Sequence, residues 1–180
     1  SDTVHYELKK RFSFTQLAAF RKCPLQYKFE HIYRIPKFGT YQKSFGQSVH
    51  NAYQHMLELH QFRGQTQRAE ITDDSYQITE GGFRVSLDEA YKLFDEAWID
   101  EWYESRDRHD EYKAKGEQAI KNFWQECAVK APDLFGIELD FTLVLGVHSL
   151  KGKIDRIDKL PDGTVAVFDY KTGQAKEELG

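Results

Sequence analysis

Hydrophobic residues near the N-terminus recur at the spacing of short helices. Hydroxyl residues around Ser13 can cap a first helix, in which Leu17 and Phe20 lie three positions apart. Pro24 interrupts this helix because proline lacks an amide hydrogen and clashes with the preceding turn. The pattern therefore predicts two short helices, the second at about residues 24–33.

A longer amphipathic helix is predicted at residues 43–60. Its apolar residues recur at steps of three and four, at Phe45, Val49, Tyr53 (or Ala52), Met56 and Leu59. Gly46 and His50 lie about one turn apart and therefore share a face of this helix. Residues 63–83 are polar and contain several glycines, which predicts a loop.

Residues 87–129 again have a helical pattern, and their first half is strongly acidic. The apolar anchors of this stretch are Tyr91, Phe94, Trp98, Trp102, Ile120, Phe123 and Trp124. We expect two helices with a break near residues 105–110, and Trp98 and Trp102 would then lie on one helix face.

Strand-forming residues dominate the C-terminal part. Residues 138–145 alternate in polarity, residues 149–160 continue as a second strand, and a Pro-Asp-Gly turn leads into a third strand at 164–171. The predicted fold is α+β, with a three-stranded antiparallel meander, a helical N-terminal half and an inserted helical layer. We expect one domain over residues 1–180, made of basic N-terminal helices (1–62), a loop with a helical insertion (63–136) and the catalytic strands (137–180).

Composition limits the class of protein. Of the 180 residues, 40% are hydrophobic and 30% charged, which is enough for one core. No apolar run approaches the roughly 18 residues that cross a bilayer, and the first residues lack the features of a secretory signal. A soluble cytoplasmic protein is therefore expected, with Cys23 and Cys127 as reduced thiols.

Charge is distributed unevenly along the chain, whose net charge is -4. Residues 1–50 hold 9 Lys and Arg against 3 Asp and Glu, a net of +6, whereas residues 51–136 have a net of -8 and residues 137–180 a net of -2. A basic N-terminal segment is suited to contacting phosphates. A solvated helix face would have the same composition, so both interpretations stay open.

The third strand carries the candidate chemistry. Alternate side chains of a strand share a face, so Asp169 and Lys171 emerge on the same side. If Asp155 of the second strand packs beside Asp169, the two carboxylates need a cation, and Mg²⁺ or Mn²⁺ prefers such oxygen ligands. The metal would polarise a scissile phosphate, while Lys171 would orient water or stabilise charge on that phosphate. Solvated strand-end residues are the alternative interpretation.

Several motifs carry a resemblance to a known family. Residues 152–158 (Gly-Lys-Ile-Asp-Arg-Ile-Asp) and 169–173 (Asp-Tyr-Lys-Thr-Gly) resemble the second and third motifs of the RecB-type branch of the PD-(D/E)XK nuclease superfamily. Residues 46–50 (Gly-Gln-Ser-Val-His) resemble its upstream helical motif, and residues 12–29 resemble the start of AddB-like and helicase-fused nuclease domains. Residues 63–130 are not covered by the resemblance.

The resemblance implies a restriction-endonuclease-like core and a metal site. The implied site residues are His50, Asp155, Asp169 and the backbone carbonyl of Tyr170 as metal ligands, with Lys171 in catalysis. Glu138 resembles a further acidic position, although a structural ion pair with a strand lysine is an equal alternative. The implied activity is that of a Mg²⁺- or Mn²⁺-dependent deoxyribonuclease of exonuclease type, acting in DNA repair or recombination.

Two departures from the family pattern shape further expectations. The usual Gln-x-x-x-Tyr helix after the third strand has no counterpart before Gly180, so we expect a truncated domain that lacks the C-terminal part of the core, and the activity of this chain stays an open question. Cys23 matches the first cysteine of iron–sulfur members, but the three later cysteines are missing. An iron–sulfur cluster is therefore expected only in a longer parent protein, and a buried Cys23 is slightly favoured.

The expected partners are DNA and a helicase domain or subunit, in the nucleoid-associated cytoplasm of a bacterium and away from membranes. Two alternatives remain. One is a non-catalytic DNA-binding or scaffolding remnant of the same fold, which metal binding would distinguish from a nuclease. The other is a helical protein-interaction module whose acidic stretch presents Trp98 and Trp102 to a partner, and burial of both indoles would exclude it.

Overall fold

The computed structural model describes residues 10–66 and 78–172. Within them the fold is α+β, with five α-helices and a mixed four-stranded sheet. The chain divides into two compact units, one of Ser1–Phe38 with Leu139–Ile154 and one of Gly39–Glu138 with Asp155–Gly180. None of the helices in the described segments combines the length and the apolar character needed to cross a lipid bilayer.

In the described part of the first unit, a short strand leads directly into a helix. Strand β1 (Arg11–Ser13) is followed by helix α1 (Phe14–Lys22). The hydroxyl of Ser13 accepts a hydrogen bond from the amide of Gln16, whose side chain accepts one from the amide of Ser13. This reciprocal capping satisfies two amide groups that the first turn leaves without helical partners. The predicted cap and start of the first helix are confirmed.

The second short helix begins at its proline, as predicted. Helix α2 (Pro24–Tyr27) continues as a π-helical turn (Lys28–Ile32), so the predicted helix at 24–33 is present in a mixed form. Cys23 lies between α1 and α2 and is only partly buried, whereas the sequence slightly favoured a buried residue. The break at Pro24 leaves this thiol at the junction of two helices rather than inside a core.

Three long helices build the second unit: α3 (Tyr41–Thr66), α4 (Leu87–Ala97) and α5 (Arg106–Val129), each packed against the other two. Helix α3 continues six residues beyond its predicted end because polar residues on a helix surface resemble a loop in the hydrophobic pattern. The predicted loop at 63–83 therefore starts too early. Its residues 67–77 lie outside the described residues, and residues 78–83 form neither helix nor strand.

The core of the second unit lies among these three helices and the segment that precedes α4. Its largest fully buried side chains are Phe83, Phe94, Met56, Leu57, Ile120, Val49 and Val85. Burial of one such side chain contributes about 1.5–3 kcal/mol. A Cβ atom at Gly116 of α5 would lie 2.2 Å from Cζ of Phe94, so the glycine is what lets this ring pack against α5.

The predicted tryptophan face is wrong. Helix α4 ends at Ala97, Trp98 has an extended backbone, and Trp102 adopts a left-handed backbone with φ 69°. The indole of Trp98 donates a hydrogen bond of 3.1 Å to Nε2 of His109 and stacks on the ring of Tyr103. The two tryptophans do not share a helix, because the break between α4 and α5 falls at residues 98–105 rather than 105–110.

The sheet is mixed and has one strand more than predicted. Strand β3 (His148–Lys159) lies beside β2 (Leu134–Leu145), pairs in parallel with β1 and pairs antiparallel with β4 (Val165–Phe168). Strand β1 has only three residues, too few to produce an alternating pattern. Strand β4 ends at Phe168, three residues before the predicted end, so the segment that holds Asp169 and Lys171 follows the strand.

Candidate metal centre

Three side chains from three different elements converge in the second unit. His50 comes from α3, Glu138 from β2 and Asp155 from β3. Nε2 of His50 lies 3.3 Å from Oε1 of Glu138 and 3.2 Å from Oδ1 of Asp155. One ligand atom from each of the three lies within 4.8 Å of the others, and all three side chains are largely buried. Two carboxylates and an imidazole at this spacing form a donor set for a divalent cation.

Gly46 explains how the helix that carries His50 reaches this position. A Cβ atom at Gly46 would lie 3.0 Å from Oγ1 of Thr172, which is tighter than most Cβ contacts. The missing side chain lets the segment after β4 pass close to α3, one turn before His50. The glycine and the histidine thus have separate roles, the first in packing and the second in the candidate site.

Glu138 reaches the site through an unusual backbone. Its φ is 52°, in the left-handed region, although it lies inside strand β2. A residue other than glycine adopts this conformation at a cost of about 1 kcal/mol, and such residues concentrate at functional sites. The local departure from regular strand geometry directs the carboxylate toward His50.

Asp155 is fixed from two sides. Its Oδ1 faces His50, and its Oδ2 accepts a hydrogen bond of 2.8 Å from the backbone amide of Tyr170. The carboxylate thereby connects β3 to the segment that follows β4. Because a backbone amide is a donor whose position the fold determines, it orients the carboxylate without adding a charge to the site.

The ring of Tyr170 lies in an aromatic cluster beside the site. It makes edge-to-face contacts with His50, Tyr53 and Phe123, at centroid distances of 6.3, 5.1 and 5.6 Å. Burial raises the pKa of Tyr170 to about 12, against the opposing effect of Arg156, so the phenol is neutral at ordinary pH. Contacts of this kind hold the backbone of Tyr170, and therefore its amide, in place.

A buried ion pair contacts the hydroxyl group of Tyr170. The guanidinium of Arg156 forms two hydrogen bonds with the carboxylate of Asp158, of 2.7 and 2.6 Å, and donates a third of 3.2 Å to the hydroxyl of Tyr170. The same guanidinium lies 4.2 Å from the centroid of Phe168. No sequence motif predicted this network, although alternation along β3 places Arg156 and Asp158 on the strand face opposite Asp155.

Asp169 and Lys171 lie outside the three-residue cluster. They follow the end of β4, where their side chains are 62% and 75% exposed and form an ion pair of 2.7–2.8 Å. The cluster thus contains three of the residues singled out from the sequence: His50, Asp155 and Glu138, the further acidic position. The third strand was predicted to continue to residue 171, whereas β4 ends at Phe168. The convergence of Asp155 with Asp169 stays a prediction.

A cleft of about 400 Å³ lies next to Lys171. Side chains of α3, α5 and the segment after β4 line it: Phe45, Tyr53, Asn122, Phe123, Glu126 and Tyr170. Four of its nine lining residues are aromatic, and Lys171 and Glu126 supply charges of opposite sign.

Comparison with known proteins places the chain in a family. A family model of the PD-(D/E)XK nuclease superfamily matches residues 11–179, nearly the whole chain. The chain belongs to this superfamily. No curated protein and no solved structure matched the chain in the corresponding searches.

Proposed function

We propose that this chain is a metal-dependent nuclease module that hydrolyses phosphodiester bonds in DNA. The single observation that carries the proposal is the cluster of His50, Glu138 and Asp155 in a member of a nuclease superfamily. A merely structural cluster would place two carboxylates close together in a largely buried position, which is unfavourable without a neutralising cation or a protonated histidine.

The residues present fit a Mg²⁺ or Mn²⁺ ion. Carboxylate oxygens are the preferred ligands of both ions, and an imidazole nitrogen is acceptable to Mn²⁺. In this proposal His50, Glu138 and Asp155 hold the ion, and Asp169 and the backbone carbonyl of Tyr170 are further ligands implied by the motif. A bound ion would polarise the scissile phosphate and lower the pKa of a coordinated water.

The chain's own residues have distinct proposed roles. The amide of Tyr170 keeps Asp155 oriented through its hydrogen bond to Oδ2. Lys171 is the proposed catalytic lysine: released from Asp169, its ammonium would stabilise negative charge that develops on the phosphate. Its exposure and its position at the edge of the cleft support this role, because a substrate phosphate can approach it from solvent.

The experiment is a calorimetric titration of the chain with Mn²⁺. Asp155→Asn is the informative variant, because asparagine retains an oxygen that accepts from the Tyr170 amide but removes the charge. Asp140→Asn, at an exposed position of β2, is the matched control. We expect Mn²⁺ binding by the parent chain and by the control and at least tenfold weaker binding by Asp155→Asn. Equal binding by all three would reject the proposed site.

Finer features of the function are part of the same proposal. We infer an exonuclease-type enzyme of the RecB and AddB kind, built on a restriction-endonuclease-like core and working in DNA repair or recombination beside a helicase. Motif resemblance at residues 46–50, 152–158 and 169–173 supports these features. Cleavage of labelled single- and double-stranded DNA by the chain, alone and with a DNA helicase added, is the corresponding test.

One observation favours a second candidate function. Because Asp169 and Lys171 are paired with each other and exposed, the chain could bind DNA without cutting it, as a scaffolding domain of the same fold. Such a domain would bind DNA equally well in EDTA and in Mn²⁺, and would leave labelled DNA intact in both.

A further inference from the structure

The described part of the first unit is far more basic than the rest of the chain. Within the described residues 10–38 and 139–154 there are nine Lys and Arg against two Asp and Glu, whereas the whole chain has a net charge of -4. One of the two acidic residues, Glu30, is already paired with Lys37, which lowers the pKa of its carboxyl. The positive charge of this unit is therefore available to a negatively charged partner.

An exposed apolar stripe runs through the same segment. Leu25, Phe29 and Tyr33 follow one another at four-residue steps along α2 and the π-helical turn, and all three are exposed. Phe29 is 42% and Tyr33 58% exposed, and their ring centroids lie 6.2 Å apart. The ammonium of Lys28 lies 5.2 Å from the ring centroid of Tyr33. Aromatic rings and cations thus occur together at one surface.

The π-helical turn determines the positions of Phe29 and Tyr33 on this surface. The amide of Tyr33 donates to the carbonyl of Lys28 and the amide of Ile35 to that of Phe29, each at 2.9 Å. These wider turns depart from α-helical geometry, a departure that occurs often at functional sites.

A cleft adjoins the stripe. It has a volume of about 370 Å³, and its apolar walls are formed by Leu25, Phe29, Ile35 and Pro36. Lys37 is one of its lining residues and is mostly exposed. The cleft thus offers a planar apolar group a binding place beside the ion pair of Lys37 with Glu30, which also lines it.

We propose that Phe29 and Tyr33, with Lys28 and the exposed cations Arg21 and Lys22 of the last turn of α1, form a binding surface for single-stranded DNA. Aromatic side chains bind any unpaired base through its π-face, and clustered cations bind the backbone phosphates. A duplex would engage the cations but not the rings, since its bases are stacked on one another. This inference rests on the proposed function because it takes DNA to be the substrate. It adds that the DNA is single-stranded and that residues other than those of the metal centre bind it.

The experiment measures fluorescence anisotropy of a labelled oligothymidine and of a matched duplex, with the chain in EDTA so that cleavage is excluded. The test variants are Phe29→Leu with Tyr33→Leu, which keeps apolar volume but removes the rings, and Arg21→Gln with Lys22→Gln. The controls lie in the second unit: Phe62→Leu, an exposed phenylalanine of α3, and Lys121→Gln on α5 with Lys130→Gln at the C-terminal cap of α5. Circular dichroism establishes that each variant is folded.

We expect the ring variant to bind oligothymidine about tenfold more weakly and to bind the duplex unchanged. The charge variant weakens both and reduces the salt dependence by about one unit per lost phosphate contact. Control variants bind like the parent. Unchanged binding of oligothymidine by the ring variant overturns the proposal. A second result would also overturn it: the parent chain does not bind oligothymidine but binds anionic phosphatidylglycerol vesicles, and the same variants abolish that vesicle binding. Since no metal is present, failure here leaves Mn²⁺ binding at the other site as an independent result.

Discussion

The backbone amide of Tyr170 donates a hydrogen bond of 2.8 Å to Oδ2 of Asp155, and this contact connects the segment after β4 to the candidate metal centre. Oδ1 of the same carboxylate faces His50. The geometry of the site therefore depends on whatever holds Tyr170, which is the aromatic cluster on one side and the pair of Arg156 and Asp158 on the other.

Replacing Arg156 with methionine should destabilise the chain by about 3–5 kcal/mol, because Asp158 would remain buried without its partner. Adding Asp158→Leu should recover much of that loss, since a pair of apolar residues leaves no unpaired charge. Urea denaturation measures both. Lys115→Met, which removes an exposed ion pair with Glu111, is the control and should change stability little. Equal losses in the single and double variants would contradict the account.

Gly46→Ala should weaken Mn²⁺ binding severalfold without lowering the melting temperature. Alanine stabilises a helix interior by roughly 0.5–1 kcal/mol relative to glycine, but its Cβ would press on Oγ1 of Thr172 and displace the segment that orients Asp155. Combining it with Thr172→Ala removes the contacted atom and should restore affinity. Calorimetry on the three variants is the measurement, and a double variant as weak as Gly46→Ala would show that the contact is irrelevant.

The ion pair of Arg63 with Glu89 should make stability fall in acid. Hydrogen bonds from Arg63 lower the pKa of Glu89 from 4.5 to about 2. Because the folded-state pKa is depressed, the stabilisation is complete above about pH 4.5 and is lost as pH falls toward 2. Thermal melts from pH 2 to 7 should show a smaller decline for Glu89→Gln than for the parent. The exposed Glu101→Gln is the control, and a parallel decline in all three chains would refute the assignment.

Burial of His60 should make the stability of the fold depend on pH in a second, higher pH range. Its Nδ1 accepts a hydrogen bond of 3.2 Å from the amide of Arg84, and burial lowers the pKa of the imidazole from 6.5. Below about pH 6.5 the folded chain therefore binds fewer protons than the unfolded chain does. The stability of the fold should consequently decrease as pH falls through 6.5. Chemical denaturation of His60→Asn should lack this step. His55→Asn on the same helix should keep it, and a step retained in both would assign it elsewhere.

Much of the fold followed from local pattern. The cap at Ser13, the break at Pro24 and the helices of the second unit depend on short-range chemistry that the sequence displays directly. Strand β1 was not predicted because its three residues pair with β3, a contact distant in sequence that no alternating pattern reveals. Trp98 and Trp102 were misplaced because the end of α4 lacks a strong stop signal such as glycine or proline.

The candidate site was only partly predictable. His50 and Asp155 were recognisable from motifs, and the structure brings their side chains to 3.2 Å. The approach of Glu138 depends on a left-handed backbone inside a strand, which residue type does not reveal for a glutamate. Strand periodicity placed Asp169 and Lys171 on one face of the third strand, but β4 ends at Phe168, and the convergence of Asp169 with Asp155 stays a prediction.

The most direct test of the central claim is pulsed electron paramagnetic resonance of Mn²⁺ added to the chain at less than stoichiometric concentration. If His50, Glu138 and Asp155 hold the ion, the spectrum should show a nitrogen coupling from a coordinated imidazole. That coupling should vanish in His50→Gln and persist in His55→Gln. A bound Mn²⁺ ion without nitrogen coupling, or with coupling that survives His50→Gln, would contradict the assignment of this cluster as the metal centre.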